Sequence, residues 1–174
     1  MEVDTKAPDE FLLITGSGKG VFVRAFDGKS GWNRGFQGTF SLSGEELNEA
    51  QRATQLQPGL HLKELYPNAR VIGRGRVTRR DTYIVSCGGD GIEEKFYFDV
   101  ETGLLLRRLT LIQTALGQYP YQYDYSDYRA VDGVKLPFTL RVLVPLGSEV
   151  HRYATVEDNT LLDDAKFPRP DRRP

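Results

Sequence analysis

The chain has 174 residues, 39% of them hydrophobic and 11% aromatic, enough for one domain with a real core and too many for wholesale disorder. Its 23 basic and 24 acidic residues interleave to a net charge of −1, which gives no electrostatic footprint for nucleic acid or an anionic membrane. The single cysteine, Cys87, excludes an internal disulfide and a cysteine-based zinc or haem site, and no apolar run approaches the ~20 residues that span a bilayer.

The 18 glycines and 9 prolines suit a protein of short strands and many turns. Met1-Glu2-Val3-Asp4 is acidic where an export signal would be basic and then apolar, so the chain is either not exported or a processed or trimmed form. About the first eight residues are expected to fray. Gly16-Ser17-Gly18-Lys19-Gly20 has the look of a phosphate loop. However, Leu13 stands where the first glycine of that motif belongs, Gly20 stands where Ser or Thr follows the lysine, and Val21-Phe22-Val23 reads as strand. The segment is therefore a hairpin turn. The strand Lys19–Phe26 then turns at Asp27-Gly28 towards Trp32.

Ser43-Gly44-Glu45-Glu46 is a capping box, with Leu42 and Leu47 placed as a hydrophobic staple. Leu47, Ala50, Ala53 or Thr54, and Leu56 recur at helical spacing until Pro58-Gly59. The apolar stripe is narrow and made of small residues, which predicts a helix lying on a sheet. His61 to Leu65 adds a short turn. The basic cluster Arg70 to Arg80 is broken by Gly73 and Gly75 and ends at Asp81, and so reads as a solvated edge. Cys87 closes the strand Tyr83–Cys87 as a small buried filler before the turn Gly88–Gly91. Lys95–Phe98 pairs with Leu104–Ile112 through Asp99–Gly103, Gly103 taking the left-handed position. Asp132-Gly133 turns Tyr121–Val131 into Val134–Val144, and Gly147 joins Phe138–Pro145 to Glu149–Glu157. Such local connections favour an antiparallel meander.

No catalytic constellation assembles. The two histidines, His61 and His151, form no metal motif, and there is no Gly-x-Ser-x-Gly elbow. Asp124 and Asp127, three apart on a strand, face opposite sides, and Asp163-Asp164 reads as a solvated turn. More informative is Tyr119-Pro120-Tyr121-Gln122-Tyr123-Asp124-Tyr125, where strand alternation puts four tyrosines on one face. Other strands are apolar on both faces, such as Leu104-Leu105-Leu106 and Phe138–Val144. Such a sheet is either covered on both faces by helix and loops, or curls around an aromatic-lined cavity for an apolar ligand.

From Asp81 onward the motifs form a familiar succession. They are Lys95-Phe96-Tyr97-Phe98-Asp99-Val100-Glu101-Thr102-Gly103-Leu104-Leu105, Thr114-Ala115-Leu116-Gly117, Asp124-Tyr125-Ser126-Asp127-Tyr128-Arg129, Val131-Asp132-Gly133-Val134-Lys135-Leu136-Pro137-Phe138 and Asp163-Asp164-Ala165-Lys166-Phe167. This succession resembles a bacterial domain common in acidobacteria-like genomes and often fused behind multihaem c-type cytochromes described as reaction-centre cytochrome subunits. Its hairpin elements are also similar to outer-membrane lipoprotein carriers (LolA/LolB-like). The likeness spans about residues 30 to 167 and lies in turns and strand starts, so it marks a family rather than an activity.

The resemblance implies an exported bacterial protein with an incomplete, strongly curved antiparallel barrel and a helix in its mouth, a fold whose carriers shield acyl chains in the concavity. The chain has no Cys-x-x-Cys-His, so covalent haem is excluded. It is expected to start later than a full carrier, without some N-terminal strands or the first helix. The expected fold class is thus α+β, mainly β, with one helix packed in or across the concave face of a curved sheet. A single domain covers 9–167, and the Pro/Arg/Asp-rich end after Phe167, residues 168–174, is a disordered tail. The expected function is non-enzymatic, with no cofactor and no metal. An apolar ligand, a lipid or the acyl chain of a lipoprotein, would lie in the concavity against Trp32, Phe96, Phe98, Tyr121, Tyr123, Phe138 and Leu140, with the capping-box helix as lid. The expected partners are a lipid, a lipidated protein or another envelope protein, in the periplasm or cell envelope. The alternative is a structural or interaction module whose curved sheet is filled by its own side chains.

Overall fold

Strands account for 65% of the described residues in the computed structural model of the protein; all are paired antiparallel, and the sheets do not close into a barrel. The structure describes residues 1–6, 9–17, 20–53, 59, 62–89, 92–114, 117–145, 147–157 and 160–170. Gly18, Lys19, Thr54, Leu56, Pro58, His61, Asp90, Gly91, Ala115 and Leu116, named above, lie outside the described residues. Two compact units emerge, one from Met1–Gln57 with Thr160–Pro174, the other from Pro58–Asn159.

The first unit is a meander of β1 (Glu2–Lys6), β2 (Glu10–Ser17), β3 (Gly20–Asp27), β4 (Gly31–Gly35) and β5 (Gly38–Ser41), followed by α1 (Gly44–Ala53). Alternation along β2 and β3 sends apolar side chains to both faces, and each face has its own cover. Phe11 and Phe26 face Leu42, Leu47 and Ala50, the start and inner side of α1. Leu12, Val23, Ala25 and Trp32 face Leu162 and Phe167 from the far end of the chain. The helix thus lies on a sheet, as its narrow stripe predicts. It sits so close that a Cβ on Gly31 would meet Leu42 Cδ1 at 2.9 Å and Leu47 Cδ1 at 3.0 Å.

Residues near both ends of the chain make defined contacts within the first unit. The N-terminal residues do not fray, because Glu2–Lys6 pairs along β2 from Glu2↔Ile14 to Lys6↔Glu10 and Val3 packs into the core beneath. Phe167 is fully buried and its carbonyl accepts the Trp32 indole N–H at 2.8 Å. Lys166 Nζ reaches Asp4 Oδ2 at 2.9 Å, and Arg169 Nη1 donates to Ser41 Oγ at 2.7 Å. Residues 171–174 lie outside the described residues.

The second unit opens with α2 (Leu62–Leu65) and continues as a seven-stranded meander. Its strands are β6 (Arg70–Val77), β7 (Arg80–Gly89), β8 (Ile92–Asp99), β9 (Leu105–Thr114), β10 (Gly117–Val131), β11 (Val134–Val144) and β12 (Gly147–Arg152). The turns follow the sequence chemistry. Asp99 accepts from the Thr102 N–H at 2.8 Å and the Thr102 hydroxyl at 2.7 Å, and Gly103 takes φ 70°. Asp132 and Gly133 both have positive φ, 47° and 86°, as a two-residue hairpin turn requires. The last strand ends at Arg152, short of Glu157. Edge strand β6 is exposed over most of its length, as expected for a solvated edge.

Candidate functional site

Cross-strand register decides which side chains of the second sheet share a face. One row runs Val85–Phe96–Arg108–Tyr123–Val142 across β7 to β11. A neighbouring row runs Cys87–Glu94–Thr110–Tyr121, and a third pairs Tyr125 with Leu140 and Leu140 with His151. Phe98 joins this face beyond a bulge in β9, its ring stacked 6.5 Å from that of Phe96. On the opposite face Arg107 binds Asp124 through both ends of its guanidinium, at 2.6 and 3.0 Å. One side of the central strands is therefore mainly aromatic, and the other is laced by ions.

The aromatic face holds a buried charge pair. Glu94 is 1% exposed and Arg108 8%. Arg108 Nη2 donates to Glu94 Oε1 at 2.5 Å, the Thr110 hydroxyl donates to the same oxygen at 2.9 Å, and the Tyr66 hydroxyl donates to Oε2. Burial pushes the Glu94 carboxyl towards neutrality, but the Arg108 charge and these hydrogen bonds outweigh it and hold its pKa below the ordinary value. Burial likewise opposes the charge on Arg108, and Glu94 overcomes it. The guanidinium lies 5.7 Å from the ring centroids of both Phe96 and Tyr123, within cation–π range. Its Nε is buried and has no hydrogen-bond partner among the described residues.

The segment from α2 covers part of this face, with Leu62, Tyr66 and Ala69 packed on the cluster of Cys87, Phe96 and Leu105. Cys87 is the inert filler its strand position implied, since burial pushes its thiol up to about 11. Burial also lifts the Tyr125 hydroxyl to about 12. Neither group is ionised near neutrality. Among the described residues no group of three or more His, Cys, Asp or Glu side chains is placed to hold a metal ion, and no helix is long and apolar enough to cross a membrane.

No protein-family model and no curated protein sequence matches the chain. Among solved structures, the chain is similar to a LolA superfamily protein from Nitrosomonas europaea. The TM-score is 0.57 at 10% identity, over 94% of this chain and 80% of that one. The fold is LolA-like.

The LolA-like fold brings together most of the side chains singled out from the sequence. Phe96 is fully buried on the aromatic face, and Phe98, Tyr121, Tyr123 and Leu140 are half-buried on the same face. Phe138 is buried on β11, with the Arg129 guanidinium 4.3 Å from its ring centroid. Trp32 belongs to the first unit, where it packs with Leu12, Val23, Ala25 and Phe167. Asp124 and Asp127 do not act on each other, being held separately by Arg107 and Arg129. Sequence reasoning missed the Glu94–Arg108–Tyr66 network. A signal existed: Glu94 and Phe96 share strand parity, so a charge alternating with a core phenylalanine needed a buried partner.

Proposed function

We propose that the protein is a non-enzymatic carrier of the bacterial envelope that binds an acyl chain, of a lipid or a lipoprotein, on the aromatic face of its second sheet. One observation carries this reading. Phe98, Tyr121, Tyr123 and Leu140 stay half-buried on the face where Phe96 is fully buried, leaving large apolar side chains whose cover is incomplete. The LolA-like fold is consistent with such a role and with a periplasmic or envelope location. The motif succession from Asp81 to Phe167 further suggests kinship with the domain fused to multihaem cytochromes. On this reading residues 9–167 act as a single domain, Phe138 extends the apolar lining of the second sheet, and Trp32 stays in the core of the first unit.

The competing reading is a structural or protein-interaction module filled by its own side chains. The packing of Leu62, Tyr66 and Ala69 over Phe96 favours it. Native mass spectrometry of the full chain purified from a bacterial envelope separates the two. The carrier reading predicts a population carrying one lipid-sized adduct that is lost on gentle activation. Protein of bare mass throughout, even after incubation with envelope lipid, would favour the self-filled module.

A further inference from the structure

The unpartnered Nε of Arg108 makes a demand on the head of the ligand. The side chain is nine-tenths buried and has its guanidinium beside the Phe96 and Tyr123 rings, yet this N–H has no acceptor among the described residues. A buried donor left unmade is costly, so the site gains from any ligand that supplies an acceptor there. The charge of that acceptor is constrained. Arg108 is already neutralised by Glu94, whose carboxylate lies 2.5 Å from Nη2 and also accepts from Thr110 and Tyr66. A second carboxylate at Nε would face Glu94 with nothing left to balance it.

We infer that Arg108 selects acyl ligands whose head is an uncharged carbonyl, an ester or an amide, over free fatty acids, with Nε–H donating to that carbonyl oxygen. The inference rests on the proposed acyl-binding role of the same face. Its test is displacement of the neutral dye N-phenyl-1-naphthylamine from the full-length protein at pH 8 by methyl laurate, laurate and dodecane. Methyl laurate is expected to bind about tenfold more tightly than dodecane, the factor one hydrogen bond to a charged donor contributes, and more tightly than laurate. Arg108→Lys keeps a cation for Glu94 but has no Nε donor, and should bring the ester down to the level of the alkane while alkane binding persists. Laurate equal to or tighter than the ester in the unmodified protein, or an ester no better than dodecane, would overturn the inference and leave acyl binding standing. If the dye binds and none of the three compounds displaces it, or the dye itself does not bind, acyl binding and the selectivity fall together.

Discussion

Glu94 and Arg108 stabilise the second sheet only as a pair. Removing one partner strands the other charge away from water, which typically costs about 3–5 kcal/mol, whereas replacing both by apolar residues is often close to neutral. Arg108→Met should therefore lower stability in urea denaturation by about 3 kcal/mol or more, and Glu94→Leu combined with Arg108→Met should recover most of that loss. Equal losses in the single and double variants would deny the coupling. Asp99 has a pH signature. Burial raises its pKa, but Arg80 and Thr102 outweigh that and bring it from 3.8 to about 2. A carboxyl depressed in the folded state contributes stability above its unfolded pKa and loses it as pH falls through the folded one. Stability should thus drop between about pH 4 and pH 2, and Asp99→Asn should flatten that limb in denaturation curves taken at successive pH values. The role of Asp99 as a turn residue was legible, because Asp99-Val100-Glu101-Thr102-Gly103 carries the hairpin chemistry locally. The Glu94 network was not, since Tyr66, Thr110 and Arg108 meet it only through strand pairing and a covering turn.

At the scale of elements, hairpins and the helix were readable because their signals lie within a few residues of one another. Asp132-Gly133 set both the turn and the register of β10 and β11, and the Leu42 and Leu47 staple placed the start of α1 against the sheet. The sequence could not give the seat of that helix on β4. A Cβ at Gly31 would lie 3.2 Å from Leu42 Cβ, an atom fixed close to the backbone, as well as against two leucine methyls. Gly31→Ala should accordingly destabilise the protein by about 1–3 kcal/mol through overpacking, read as a lower melting temperature. An unchanged or raised melting temperature would mean that α1 can lift away without cost. The extent of β12 was also misjudged, since an exposed edge strand alternates too weakly to mark its own end.

Across the whole molecule, the mainly antiparallel, LolA-like architecture was anticipated from turn sequences, whereas the long-range contact of Phe167 with Trp32 was not. Phe167 is surrounded in sequence by Pro, Arg and Asp, and its partner Trp32 lies 135 residues away. Nothing local announces such a contact, yet it gives the first sheet its second cover. The candidate site was legible as a set of aromatic strand positions; the buried charge among them was not. Whether an acyl chain is held on that aromatic face is read by N-phenyl-1-naphthylamine titration of the unmodified protein and of Tyr123→Asp, with circular dichroism to confirm folding. The unmodified protein should show saturable fluorescence enhancement that a folded Tyr123→Asp loses. Undiminished dye binding by Tyr123→Asp, or none by the unmodified protein, would contradict acyl binding there.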